Sequence, residues 1–290
     1  MSTIAERPLP AVAAEPPRER RLPFDPWHLV LAPVAIVFAL PLIWMVLSSF
    51  MSNAQINQFP PTIIPDSLHL DGWRTVFGDS NFPRWFLNST IVAGVTVVSN
   101  LAFCSLAGYA FARLRFRGST ALFLLILFTL IIPFQLTMIP TFIVMDRLGL
   151  VDTLAALVVP ALVLPLGVFL MRQFFVNLPR EVEEAARIDG CSHLGVLVHV
   201  ALPLARPALA TLAALTFLLM WNDLLWPLIA ITSDENATLP LGLTTFQGQH
   251  TQDFSAVMAG NVITVTPVLI AFLLAQRTFI QSLTSSAVKG

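Results

Sequence analysis

The chain has 290 residues and a mass of 31.8 kDa, with 56% hydrophobic residues, only 11% charged residues and a mean hydropathy of +0.77. A soluble domain carries about 25% charged residues, so this chain has too little polar surface to cover a globule in water and reads as an integral membrane protein. Sixteen basic against seventeen acidic residues leave a formal net charge of -1, which supplies no bulk basic field for holding nucleic acid, and Cys104 and Cys191 are too far apart in sequence to draw a CxxC metal site or a disulfide framework.

Residues 1–26 are rich in Pro, Glu and Arg and cannot bury enough apolar surface to offset chain entropy, so a disordered tail is expected there. The stretch 29–47 has no charge and with its flanks reaches the roughly 20 residues needed to cross a hydrocarbon core of about 30 Å. It exceeds the about 7–15 apolar residues of a secretory signal and is expected to stay as an anchor. Five further apolar stretches lie near 85–111, 121–144, 154–175, 207–231 and 254–274. The expected fold is all-α: a six-helix polytopic domain over residues 27–290. Stretches two to six carry small and polar residues, among them Ser89, Asn100, Ser105, Gly108 and Thr264, and prolines such as Pro133, Pro160, Pro165, Pro227 and Pro267. Small and hydroxyl side chains let membrane helices approach, and prolines are tolerated where neighbours satisfy the freed backbone. A packed bundle is the expectation.

The basic residues set an orientation. With the N-terminus inside, the inner segments hold Arg7, Arg18, Arg20, Arg21, Arg113, Arg115, Arg117, Arg172, Arg180, Arg187, Arg206, Arg277 and Lys289. The outer segments hold Arg74, Arg84 and Arg147, an asymmetry of thirteen to three. Lys and Arg near span ends resist translocation, so both termini are expected in the cytoplasm.

The longest inner segment, 176–206, is the most informative. Pro179 suits a helix start, Glu181, Glu183 and Glu184 sit where the helix dipole favours anions, and Gly190 suits a helix stop. Ser192 can cap a second short helix carrying Leu194, Leu197 and Val198 at i, i+3 and i+4, with Pro203 closing it. A helix, a sharp bend and a helix are predicted, a shape suited to docking a cytoplasmic partner; the alternative is a solvated loop of ordinary amphipathicity.

The spacing Glu184-Ala185-Ala186, three residues, Gly190, nine residues, Val200-Ala201-Leu202-Pro203 is similar to the EAA motif of permease subunits of binding-protein-dependent ABC importers, with Val200 where that pattern most often has Ile. Further pieces resemble the carbohydrate-uptake, MalG-like branch: Leu40-Pro41-Leu42-Ile43-Trp44, Ser48-Ser49-Phe50, Asn88-Ser89, Leu148-Gly149-Leu150-Val151-Asp152-Thr153, Trp221-Asn222-Asp223, and the end from Gln276-Arg277 to Ala287-Val288-Lys289-Gly290. Ser286 stands where that tail usually has Gly. The resemblance covers nearly all of 27–290 and implies a MetI/MalG-like fold in a bacterial plasma membrane. It implies a heterodimer with a second permease, two ATP-binding subunits that hold ATP and Mg, and an extracytoplasmic solute-binding protein that delivers a sugar. It further implies that Glu184, Ala185, Ala186, Asp189, Gly190, Leu194, Leu197 and Pro203 form the surface that couples to the ATPase. The chain is not expected to be an enzyme or to hold a cofactor, because a P-loop needs G-x-x-x-x-G-K-[ST] and the only lysine, Lys289, comes after Val288 and precedes the terminal Gly290.

The five histidines are dispersed, no hydrolase or dinucleotide motif appears, and no metal site is expected. Asp223 is the one acid inside an apolar stretch, and an ionisable group there is a functional-site candidate by default; an interfacial acid paired with a neighbouring helix is the other reading. Trp221, Asn222, Asp223, Asn261 and Thr264 are the candidate pathway residues, and with Asn100 and Gln135 they offer the amides, hydroxyls and rings that suit neutral polyhydroxylated solutes. Two alternatives stay open: a self-contained secondary transporter or channel using Asp223 and Asn261, and an importer of a non-sugar solute such as glycerol phosphate.

Overall fold

The computed structural model describes residues 27–78, 80–247 and 253–287. The tail expected at 1–26 and the terminal residues 288–290 lie outside the described residues. Two compact units are distinguished, one ending at Trp44 and one running from Met45.

The first helix, α1 (His28–Ser48), is apolar all round and carries Pro33 and Pro41. The short α2 (Asn53–Ile56) and α3 (Asp71–Gly78) come after it, and then the long α4 (Phe82–Arg113). The third expected span is a broken pair, α5 (Ser119–Thr129) and α6 (Phe134–Arg147), bent by 102° at Leu130–Pro133, where Pro133 cannot continue the hydrogen-bond ladder. The fourth consists of α7 (Leu154–Val158), a 3-10 turn Val159–Ala161, and α8 (Pro165–Asn177). Then come α9 (Arg180–Ile188), α10 (His193–Val196), a π-helical turn Leu197–Ala201, and α11 (Leu202–Leu204). The fifth span is α12 (Arg206–Trp221), continued after a break by α13 (Leu225–Ala230). After α14 (Leu239–Leu243), α15 (Phe254–Ala287) is the last. Among the described residues, four helical stretches are long and apolar enough to cross a bilayer, and up to six if each of two bent pairs, α5 with α6 and His193–Leu204 with α12, counts as one. One expectation shifts: Pro203 lies within α11, and the second arm ends two residues later at Ala205, where the chain bends by 80° into α12.

Helix α4 is the axis of the second unit, flanked by α8 and α12. Its inward face is small and polar: Ser89, Thr96, Asn100, Ser105 and Gly108 are all buried. A Cβ on Gly108 would stand 2.7 Å from the Cβ of Met171, so the close crossing of α4 and α8 requires glycine there.

Two prolines in the fourth span explain two polar side chains of its neighbours. Pro165 has no N–H to give the carbonyl of Ala161 four residues earlier. Asn100 of α4 supplies it instead, donating from Nδ2 to that carbonyl at 2.8 Å, while its Oδ1 accepts from the N–H of Leu164 at 2.8 Å. Likewise Pro160 strands the carbonyl of Ala156, and the indole N–H of Trp226 donates to it at 3.0 Å. In a medium without water, each freed backbone group costs several kcal/mol unless a neighbour meets it. Asn100→Ala is expected to lower the stability of the purified protein by about 1–3 kcal/mol; a melting temperature in detergent equal to that of the wild type would show that the Ala161 and Leu164 groups do not depend on this amide.

Candidate functional site

The segment between the fourth and fifth spans folds as predicted, helix, bend, helix. Gly190 adopts φ +87°, a conformation that costs a side chain but not glycine. Its N–H donates to the Arg187 carbonyl and that of Cys191 to the Ala186 carbonyl, each at 3.0 Å. This pair of bonds is a Schellman closure, which satisfies the last carbonyls of α9. Ser192 Oγ then accepts from the N–H of Gly195 at 3.1 Å and caps α10.

The eight residues expected to couple to a partner divide by exposure. Glu184, Ala185, Asp189, Gly190, Leu194 and Pro203 are exposed, and Ala186 is half-buried. Leu197 is only 3% exposed and packs inward with Val168, Met171, Phe175 and Val196, so it supports the surface from beneath rather than forming it. Ile188, 87% exposed at the end of α9, adds an apolar group to the same segment, with Val182 and Val198 also exposed; its place two residues before a stop glycine is the signal that could have found it.

Glu183, not Glu184, is the acid held by the fold. Its Oε1 lies 2.7 Å from Nε of Arg113 at the end of α4, with side chains only 12% and 7% exposed, and Arg113 also donates to the Leu178 carbonyl. Tyr109, one turn earlier on α4, meets Phe175 edge to face, centroids 5.5 Å apart. The first arm of the loop is thereby bolted to the central helix.

The candidate pathway residues are not one cluster. Trp221 is buried, stacks on Phe217 at 5.3 Å and donates its indole N–H to the Thr264 carbonyl of α15 at 3.0 Å, tying the fifth and sixth spans together. Thr264 turns its hydroxyl back to the Gly260 carbonyl. Asn222 is exposed and donates to the Leu218 carbonyl at 2.8 Å. Asp223 is half-buried in the break between α12 and α13, and its Oδ1 faces the N–H of Trp226 at 3.4 Å, the position of a cap for α13. Asn261 is half-buried on α15.

At the opposite end of these spans a latch joins two loops. Asp152, at φ +61°, accepts through Oδ1 from the N–H groups of Thr232 and Ser233 and from the Ser233 hydroxyl at 2.8–3.0 Å, while its carbonyl accepts from Asn236. The backbone bond from Ser233 is the largest influence on this carboxyl; burial opposes it, the other bonds assist, and the carboxyl is held below its usual range. The same strap is gripped from α4 and its entrance: Asn81 bonds to Asp234, Trp85 donates to the Asp234 carbonyl, and Asn88 donates to the carbonyls of Glu235 and Ala237.

Residues 104–284 match the family described as binding-protein-dependent transport system inner membrane component. The chain belongs to this family. It is 38% identical over 278 residues to the arabinooligosaccharides transport system permease protein AraQ of Halalkalibacterium halodurans, covering 94% of this chain and 100% of the relative. It is 33% identical to the trehalose/maltose transport system permease protein MalG of Thermococcus litoralis, covering 89% and 94%. Among solved structures, a chain of a bacterial ABC transporter involved in the import of the acidic polysaccharide alginate superposes with a TM-score of 0.74 at 25% identity, covering 88% of this chain and 98% of that one. The matched region of this transport component contains the helix–bend–helix segment and the Arg113–Glu183 bridge.

Two outcomes are expected of this transport component. Removing one partner of a buried ion pair leaves the other uncompensated, at a cost of about 3–5 kcal/mol; Glu183→Gln is therefore expected to lower the melting temperature strongly and Glu184→Gln hardly at all, and equal shifts would contradict the geometry. For Asp152, a carboxyl whose folded pKa lies below the unfolded value of about 3.9 contributes stability above that value and loses it as pH falls through the folded pKa. Hydrogen exchange at the amides of Thr232 and Ser233 should stay protected down to pH values below the ordinary carboxylate range in the wild type, and should be unprotected at neutral pH in Asp152→Ala.

Proposed function

We propose that the chain is the permease subunit of an ATP-driven, binding-protein-dependent ABC importer and forms half of the transmembrane pathway for a mono- or oligosaccharide. The observation that carries this reading is family membership over 104–284, a region that includes an exposed, glycine-hinged two-helix segment between two spans. Relatives named for arabinooligosaccharide and trehalose/maltose transport support the sugar, as do the amide, hydroxyl and aromatic groups of the second, fifth and sixth spans. The termini face the cytoplasm, as the distribution of basic residues favours. A second permease pairs with this one, and two separate subunits hold ATP and Mg, docking on α9 and α10 through Glu184, Ala185, Asp189, Ile188 and Leu194. The binding protein delivers the sugar to the outer side. Trp221 and Thr264 act as packing of the pathway wall, and Asn222, Asp223 and Asn261 are the groups left to face it.

The coupling role has a direct test. Glu184→Lys reverses the charge of an exposed acid on α9 without touching the buried bridge, and Gly190→Val penalises the φ +87° bend. Either is expected to detach the ATPase on pull-down or abolish sugar uptake while the permease still reaches the membrane. Wild-type uptake together with a wild-type complex in both variants would refute the docking assignment. For the substrate, deletion of the gene should abolish uptake of a labelled oligosaccharide and leave amino-acid uptake intact; the reverse pattern would remove the sugar and keep the importer.

A further inference from the structure

Where α4 ends against α9, the chain forms a half-open cleft of about 450 Å³ lined by Tyr109, Arg113, Arg115, Arg180, Arg187 and His193, together with Glu183 and Glu184. Its charges do not cancel. Glu183 is committed to Arg113 at 2.7 Å, and among the described residues no carboxylate lies within salt-bridge distance of Arg115, Arg180 or Arg187. Glu184 is the one remaining acid on the wall, so three guanidinium groups face one carboxylate. Arg187 is held by His193 instead, its Nη2 donating to Nδ1 at 2.7 Å, a neutral partner that leaves the guanidinium charge uncompensated. The volume is that of a small-molecule site, and arginine is the residue suited to bidentate recognition of phosphate.

We propose that this cleft binds a phosphoryl group, with Arg115, Arg180 and Arg187 as its donors. The arginines lie on the side that the basic residues assign to the cytoplasm, so the group comes either from a soluble phosphate monoester or from the headgroup of an anionic phospholipid of the inner leaflet. The inference stands on the cleft and on that orientation; of its wall Glu184 alone is shared with the docking surface proposed for α9, and none of the three arginines belongs to that surface. Because the cleft is walled by both α4 and α9, occupancy stiffens the joint that the buried Arg113–Glu183 bridge makes.

The test uses the assembled transporter in nanodiscs of pure phosphatidylcholine, titrated by calorimetry with glucose 6-phosphate and with inorganic phosphate, and in nanodiscs containing phosphatidylglycerol, probed by native mass spectrometry for retained lipid. Saturable binding of the soluble probes assigns a phosphate monoester; retention of phosphatidylglycerol without such binding assigns the headgroup. In either case Arg115→Gln, Arg180→Gln and Arg187→Gln should each weaken binding about tenfold, the equivalent of one charge-assisted hydrogen bond. Glu184→Gln removes the wall's remaining carboxylate and should tighten binding, a gain that misfolding cannot produce. Absence of both kinds of binding, or equal binding by the arginine variants, overturns the assignment and leaves an acidic surface of a protein partner as the occupant.

Discussion

A backbone carbonyl or N–H placed in hydrocarbon has no water to turn to, and this chain carries 22 prolines, many within its spans, each of which removes a donor. The structure depends on how that shortage is met. In the fourth span the carbonyls stranded by Pro160 and Pro165 are taken up by Trp226 of α13 and Asn100 of α4, so the same bonds that repair the broken helix also fix it against the second and fifth spans. Proline, usually a local defect, here specifies long-range contacts. An unbroken fourth span would satisfy its own backbone and leave Asn100 buried with fewer partners, which is the more costly arrangement. Breaks and polar residues therefore come as matched sets across neighbouring helices.

The joint between α4 and α9 obeys a related logic at the membrane edge. A buried ion pair is weak evidence for stability, because desolvation cancels much of its attraction, and an apolar pair of similar volume would hold two helices together as well. What Arg113 and Glu183 add is direction: the guanidinium is engaged by the Glu183 carboxylate and by the Leu178 carbonyl, so α9 cannot slide or turn against α4 without breaking a charged contact. Tyr109 against Phe175 and the glycine-permitted approach at Gly108 carry the constraint into the bundle. A rigid connection between an exposed loop and the central helix is what transmission of a cytoplasmic movement requires.

The fold was legible in the sequence to the extent that it is written in periods and punctuation. Apolar stretches marked the spans, Gly190 and Ser192 marked the bend and the cap of the exposed loop, and the acids of α9 marked its first turn. What could not be read was the pairing of residues distant in the chain. Glu183 and Glu184 are adjacent and chemically alike, and only the position of Arg113, 70 residues away, decides which is buried. Leu197 fits the same i, i+3 pattern as Leu194, yet only Leu197 has the core of Val168, Met171 and Phe175 against it, and Leu194 stays exposed. Arg172 counted simply as an inner basic residue, but its guanidinium sits 4.1 Å over the ring of Phe123, a contact that lets a cation remain within an apolar helix.

Asp223 illustrates how far a default inference extends. An acid in an apolar span is expensive unless something compensates it, and the usual compensations are a partner charge, a water-filled cavity or backbone donors. Here the carboxylate lies at the non-helical break after Trp221, with the N–H of Trp226 before it, so part of its cost is offset by the free donors at the start of α13, whose dipole also favours an anion. Pro227 sharpens the case, since it strands the carbonyl of residue 223 itself and makes a continuous helix through this point unfavourable. The break, the acid and the proline are then one device: the chain must stop being helical, and the acid covers the exposed first turn of α13. That structural account is complete without a substrate, and Asn222 completes the other side of the break, capping α12 with its side chain donating to the Leu218 carbonyl at 2.8 Å.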